Sequence, residues 1–147
     1  MNQLEKFYQE ELAIRESYHQ AKAASNNAGI EQARQAIKEL NTRIKESGDF
    51  FAKIYKEYTR SRDAGNKLLN FNEIVWDSEI PAIIKELKAC HIKNFTYSTS
   101  SSGAIKTALV FQKNGCTCEG IGEVFSPYKD CFTGKYEKCA AIFFRIA

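Results

Sequence analysis

Two periodicities predict an α+β protein, with an N-terminal antiparallel helical hairpin followed by a small β-α-β-β domain whose three-stranded sheet is covered by helices. Apolar residues recur in steps of three and four through the first sixty residues, and they alternate with polar residues in several segments after residue 95. The 147 residues are 44% hydrophobic with a formal net charge of only +3, so the chain can bury a core. We expect a coiled-coil-like hairpin over residues 1–65 and a helix plus the β-α-β-β unit over residues 66–147.

The sequence shows neither a membrane span nor a secretory signal. Its apolar runs are far shorter than the roughly 18 to 20 residues that cross a bilayer, and its first residues are polar and mixed in charge. The five cysteines are an odd number in a chain without an export signal, which favours reduced thiols over disulfides. We therefore expect a cytoplasmic protein with no membrane partner.

The first half of the chain is predicted to form two helices that pack along matching apolar stripes. The first stripe consists of Leu4, Phe7, Ile14, Tyr18 and Ala21. The second is a heptad seam in one long helix, made of Ala33, Ile37, Leu40, Ile44, Ser47, Phe51, Ile54 and Tyr58. Turn formers at Ser25–Gly29 reverse the chain, and Gly48 bends or divides the second helix. The seam is expected to be intramolecular core, with a homodimer or a partner groove as the alternative.

A third helix is predicted after the turn residues 61–66 and an apolar segment at 68–76. Asp77 or Ser78 is expected to cap this helix, and Pro81 is tolerated in its first turn. Its buried side consists of Ile80, Ile83, Ile84 and Leu87. The helix should end between Cys90 and Lys93.

The remaining residues predict the order strand, helix, strand, strand. Alternation at Phe95, Tyr97 and Thr99 indicates a short strand, and helical spacing resumes from Ala104 until Asn114 and Gly115 end it. A second strand begins at Cys116, a loop covers residues 126–134, and a final strand covers Tyr136–Ile146. The final strand is apolar on both faces, so we expect it to be central.

Five short segments of the C-terminal third carry a family resemblance. They are Phe95–Ser98, Ser102–Gly103, Phe111–Cys116, Glu119–Val124 and Thr133–Lys138. This part of the chain, about residues 93–147, resembles a small domain found in proteins of phages and mobile elements in Firmicutes. A charged helical segment ahead of a small sheet is also similar to some type II-A anti-CRISPR inhibitors. The resemblance implies a bacterial host cell and binding to Cas9 or to its guide RNA. Its shared positions are glycines and apolar residues, so no functional residue is carried over.

Two groups of side chains are candidates for metal chemistry. The first comprises Cys116, Cys118, Cys131 and Cys139, but their C-x-C and C-x₇-C spacings differ from the C-x₂₋₄-C pairs of structural zinc sites. Buried reduced cysteine is the favoured interpretation, and we predict no cofactor. The second comprises Glu119 and Glu123, four apart on a strand, with Asp130 and Glu137 nearby. Such carboxylates would suit a metal-dependent nuclease, and solvated edge charges are the alternative.

A basic patch with interleaved tyrosines is the candidate binding site. It comprises Lys53, Tyr55, Lys56, Tyr58, Arg60, Arg62 and Lys67. Cations of this kind bind phosphates without regard to sequence, and tyrosines stack on unpaired bases where they are exposed. A solvated helix end whose cations suit the helix dipole is the alternative.

Three functions follow from these observations. The preferred one is a non-enzymatic binding protein that blocks nucleic-acid binding by a larger partner, Cas9 or a Cas9–guide RNA complex. The alternatives are a small metal-dependent nuclease acting on RNA or DNA, and an oligomeric scaffold assembled through the seam.

Overall fold

A computed structural model describes residues 2–72 and 76–147, so Ile74 and Val75 of the predicted apolar segment lie outside the described residues. The chain divides into two compact units, Met1–Tyr55 and Lys56–Ala147, which are described separately. The division falls inside a helix rather than at the turn residues that follow it. None of the described helices is both long and apolar enough to cross a membrane.

The first unit contains α1 (Gln3–Ala23), α2 (Asn27–Glu46) and the beginning of α3 (Asp49–Asp63). The side chain of Asn26 accepts a hydrogen bond from the Gly29 amide at 3.1 Å and so caps α2 directly after the turn. Glu10 of α1 bonds to Arg43 of α2 at 3.1 Å, whereas Ala21 lies against Gly29. The two helices are therefore antiparallel, as the sequence predicts.

Gly48 divides the predicted long helix into α2 and α3. Its φ of +121° lies in a region that side-chain-bearing residues rarely adopt, and beyond its two chain neighbours no described residue has an atom within 4 Å of the position a Cβ would take. The seam continues across the break, because Leu40 and Ile44 on one side and Phe51 and Ile54 on the other are all buried. These seam residues form the unit's own core, which the sequence predicted.

Aromatic contacts and one buried carboxylate organise this first core. The ring of Phe7 lies 5.8 Å from that of Phe51 and 6.1 Å from that of Tyr55, both at edge-to-face angles. The Tyr55 hydroxyl donates to the Glu11 carboxylate at 3.2 Å, and Arg15 bonds to the same carboxylate. Glu11, the polar interruption in the first stripe, is therefore buried with its charge paired.

The second unit is built on a four-stranded mixed sheet, not the predicted three strands. Its strands are β1 (Leu69–Asn72), β2 (Asn94–Ser98), β3 (Cys116–Lys129) and β4 (Tyr136–Ile146), in the order β1-β2-β4-β3. The missed strand β1 is only four residues long and pairs parallel to β2, with α4 (Ile80–Ala89) as the crossover between them. β4 pairs antiparallel with both neighbours and is central, as predicted.

Three local predictions in the second unit are resolved by the structure. Pro81 does lie in the first turn of α4, which ends at Ala89. The expected cap is wrong, because Glu79 takes the N-cap position without a side-chain capping hydrogen bond and Asp77 instead accepts the Thr107 hydroxyl at 3.0 Å. The expected loop at 126–134 is also too long at its start, since β3 continues to Lys129.

One sheet face carries an aromatic cluster against α5 (Ala104–Lys113). Phe95 at its centre is fully buried, with ring centroids of Phe71, Phe111 and Phe144 at 5.8, 5.3 and 5.4 Å. Register opposes Leu69 to Phe95 and Phe95 to Phe144, so these side chains share a face across three strands. This cluster is the core of the second unit.

The other face of β1 and β2 carries a buried polar network centred on Asn70. The Asn70 side chain donates to the Ser98 hydroxyl at 3.1 Å and accepts from the Thr96 hydroxyl at 2.8 Å. Its backbone amide donates to the Ser61 hydroxyl of α3 at 2.9 Å, and that hydroxyl donates to the Glu57 carbonyl at 2.7 Å. The network ties the part of α3 in this unit to both strands.

Truncating Phe95 should destabilise the protein strongly. Phe95→Ala removes a fully buried ring and leaves a cavity, and we expect a loss of about 3–5 kcal/mol in the free energy of unfolding. Phe132→Ala is the matched control, because the Phe132 side chain is 94% exposed and its removal should change stability by less than about 0.5 kcal/mol. Urea unfolding monitored by circular dichroism measures both, and similar losses in the two variants would contradict the assigned core.

Candidate nucleic-acid interface

The two tyrosines of the predicted basic patch are packed into the protein. Tyr55 and Tyr58 are 5% and 9% exposed. The Tyr55 hydroxyl is bonded to Glu11, while the Tyr58 ring faces the Arg62 guanidinium at 5.8 Å and its hydroxyl accepts from Arg62 at 3.0 Å. With their rings covered, neither tyrosine presents the free face that stacking on a base requires.

The cations of the patch differ in their availability. Lys56, Arg60 and Lys67 are exposed, whereas Lys53 and Arg62 are half-buried. Arg60 lies 3.6 Å from the Glu57 carboxylate, and the Arg60 side chain is 47% exposed whereas that of Glu57 is only 15% exposed. Lys56 and Arg60 are four residues apart and so share one face of α3. The patch thus reduces to three exposed cations in the second unit.

The carboxylates considered for a nuclease do not share a sheet face. A β-bulge between Cys118 and Gly120 makes Glu119 an extra residue and breaks the alternation on which the prediction rested. Glu119 lies 3.7 Å from Arg145 and lines an open depression of about 480 Å³ beside Phe143. Glu123 is opposite Ala140, whose side chain points to the face opposite that of Phe143 and Arg145.

The four cysteines considered for zinc are also separated by their environments. Cys116 is buried, Cys118 and Cys131 are exposed, and Cys139 is half-buried. Among the residues that the structure describes, no three His, Cys, Asp or Glu side chains are grouped so that they could hold a metal ion. Burial raises the pKa of Cys116 to about 11, and burial with the nearby Glu86 carboxylate does the same for Cys90. Both thiols are therefore protonated at neutral pH and are weak nucleophiles.

A second basic and aromatic surface, which the sequence analysis missed, lies where β3 turns into β4. We call residues 125–138 the hairpin end. Tyr128 and Phe132 are 61% and 94% exposed there. The Lys129 ammonium lies 5.0 Å from the centroid of the Tyr136 ring, and that of Lys138 lies 5.8 Å from the Phe125 ring. Lys135 is a third exposed cation at the same end.

The loop of the hairpin end is held by the carboxylate of Asp130. One oxygen accepts hydrogen bonds from the backbone amides of Phe132 at 2.7 Å and Thr133 at 3.0 Å. The Asp130 amide donates to the Lys135 carbonyl at 2.7 Å, and Gly134 takes a φ of +69° that closes the turn. The loop therefore has a defined path with Phe132 at its exposed part.

The sequence does contain a signal for this surface. Tyr128–Lys138 interleaves three aromatic residues with three lysines, which are Lys129, Lys135 and Lys138. The loop at 126–134 was predicted from its turn residues, which do not indicate which side chains the loop exposes. An alternation of lysine and aromatic residues across a hairpin turn is the pattern that would have identified it.

Thiol labelling should separate the cysteines by burial. We expect Cys118 and Cys131 to react first with iodoacetamide in the native protein, Cys139 more slowly, and Cys90 and Cys116 only after unfolding, because the last two are buried and have raised pKa values. Mass spectrometry of peptides after timed quenching measures each rate. Rapid native labelling of Cys116 would contradict its assigned environment.

The ionisation of Asp130 should control the order of the hairpin loop. Hydrogen bonds donated by the backbone amides of Thr133 and then Phe132 hold the pKa of Asp130 below its ordinary value of 3.8. The carboxylate's stabilisation is complete above that ordinary value and is lost as pH falls through the lowered pKa. Carbon-13 NMR of the carboxyl group should report this pKa, with the Phe132 and Thr133 amide shifts following it. In Asp130→Asn, which keeps the accepting oxygen, those amide shifts should not titrate; a carboxyl pKa at or above 3.8 would contradict the assignment.

Comparison with known proteins assigns the chain to a family but not to an activity. A family model described as a domain of unknown function, DUF7698, matches residues 53–146, which is more than half of the chain. The match includes the exposed cations of α3 and the whole hairpin end. No curated protein and no solved structure matches the chain. The protein belongs to the DUF7698 family.

Proposed function

We propose that the protein is a non-enzymatic inhibitor of the anti-CRISPR type, which binds Cas9 or its guide RNA and blocks nucleic-acid binding by that complex. The observation that carries this proposal is the set of exposed cations on the second unit. Lys56 lies in the middle of α3, Arg60 in its last turn and Lys67 just after it, and Lys129, Lys135 and Lys138 lie on the hairpin end. The resemblance of residues 93–147 to proteins of phages and mobile elements supplies the biological context.

The chemistry of these cations suits a phosphate-bearing partner. Lysine and arginine displace condensed counterions from a nucleic-acid backbone, and the resulting affinity does not depend on base sequence. A net charge of +3 on the whole chain gives only a modest general attraction to nucleic acids. Binding therefore depends on where the cations are placed and on contacts with a larger protein partner.

Co-purification tests the proposal directly. The tagged protein is incubated with Cas9, with and without guide RNA, washed at low and moderate salt, and the bound protein and RNA are quantified. We expect a stoichiometric complex that retains Cas9 with intact RNA, or Cas9 from which RNA is excluded. Retention should weaken as salt increases, because part of the attraction is electrostatic.

Paired charge reversals distinguish a local surface from net charge. We expect K56E/K67E to lower retention of the complex about tenfold or more, since both lysines are exposed cations of the proposed surface. K85E/K113E makes the same change in net charge at exposed positions of α4 and α5 and should retain binding. Equal losses in the two variants would indicate nonspecific attraction and would contradict the proposed surface.

The remaining outcomes would overturn the proposal in recognisable ways. RNA recovered in shortened form, with chelator sensitivity, would favour a metal-dependent nuclease. Recovery of neither Cas9 nor RNA would remove the inhibitor proposal. A concentration-dependent oligomer in light scattering, together with failure to bind either partner, would favour a homodimer or larger scaffold. Such an oligomer could not use Leu40 or Ile44 without opening the first unit, because both side chains are buried there.

A further inference from the structure

The hairpin end displays aromatic surface that the fold itself does not use. Phe132 and Tyr128 are the most exposed aromatic side chains of the hairpin end, at 94% and 61%. The Asp130 bonds to the loop amides fix the backbone on either side of Phe132, so this ring is held outward by an ordered loop. An aromatic ring that an ordered loop holds in solvent contributes hydrophobic stabilisation only when a ligand covers it.

Two lysines of the hairpin end lie over two other rings, those of Tyr136 and Phe125. Lys129 is opposite Tyr136 in the β3–β4 register, and Lys138 is opposite Phe125, so the four side chains share one face of the hairpin end. Each ammonium lies over the ring of its partner, at 5.0 and 5.8 Å from the centroid. The arrangement places positive charge and flat π-surface together.

The two carboxylates of the hairpin end do not neutralise this face. Asp130 turns its carboxylate into the loop, where backbone amides satisfy it. Glu137 lies between Tyr136 and Lys138 in β4, so its side chain points to the opposite face. The next carboxylate on the lysine-bearing face is Glu123, two residues beyond Phe125 along β3.

We propose that the hairpin end binds single-stranded nucleic acid, with an unpaired base stacking on Phe132 and phosphates contacting Lys129, Lys135 and Lys138. Stacking needs an open ring face, and phosphates need nearby cations; this surface supplies both, whereas the two tyrosines interleaved with the α3 cations are buried. A double strand hides its base faces and offers only the phosphate contacts. The inference goes beyond the inhibitor proposal, because it is a property of this chain and needs no Cas9.

Fluorescence anisotropy with naked oligonucleotides tests this site in the full-length protein. The probes are labelled oligouridylate and oligothymidylate of about twelve nucleotides, with a duplex of equal length as comparison. We expect both single strands to bind more tightly than the duplex, and the tighter of the two identifies RNA or DNA as the natural ligand. Affinity should fall with salt, and removing the three lysines should lower the logarithmic salt slope by about two.

Substitution of Phe132 separates stacking from charge. Phe132→Ala should weaken single-strand binding about 5- to 150-fold without changing the salt slope, and Phe132→Trp should retain binding. Ile105→Ala removes an equally exposed apolar side chain from α5 and should have no effect. Photocrosslinking to 4-thiouridine, mapped by mass spectrometry, should label Phe132.

Each contrary result is informative. Absence of binding, equal affinity for the duplex, or wild-type affinity in Phe132→Ala would overturn the inference. Loss of RNA-free Cas9 capture in Phe132→Ala, with no oligonucleotide binding, would overturn it in favour of a protein contact. Oligonucleotide binding without Cas9 capture would support this site while removing the inhibitor proposal, so the two failures are distinguishable.

Discussion

The second unit depends on the hydrogen bonds of one buried amide, that of Asn70. Its side chain joins the hydroxyls of Thr96 and Ser98, and its backbone amide joins Ser61 of α3. Leaving a buried polar group unsatisfied costs about 1–3 kcal/mol, so these partners act as a group. A slip of one residue between β1 and β2 would place Asn70 in the aromatic cluster and Phe71 in the polar network. The network therefore specifies the register of β1 against β2, and the aromatic cluster on the opposite face buries apolar side chains.

Much of this architecture could be predicted from periodicity, because long amphipathic segments report their own conformation. Periodicity predicted the α1 and α2 stripes, the helices α4 and α5, and the central position of β4. β1 was missed because four residues give too short an alternation, and its pairing depends on β2, which lies beyond a crossover helix. The bulge at Glu119 was equally hidden, since one extra residue in a strand changes the face of its neighbours without any change in composition.

The candidate site was harder to predict because one residue was assigned both to the buried seam and to the exposed binding patch, which are incompatible environments. Tyr58 occupied a seam position and was also counted as a base-stacking residue, and the structure shows it buried. Helical periodicity predicts which side chains are buried, and a side chain that is buried at a seam position cannot also bind a ligand at the surface. At the hairpin end the reverse holds, because Phe132 is 94% exposed and its exposure follows from the path of the loop.

In the loop of the hairpin end, the residues that fix the backbone path differ from those whose side chains the loop exposes. Its bonds use the Asp130 carboxylate and backbone groups of Phe132, Thr133, Gly134 and Lys135, and none uses the side chain of Cys131 or Phe132. Backbone amides are common to every residue except proline, so these two positions can change identity while the loop keeps its path. Substitution of Cys131 or Phe132 should therefore change the surface that the loop presents, whereas substitution of Asp130 or Gly134 should change its path.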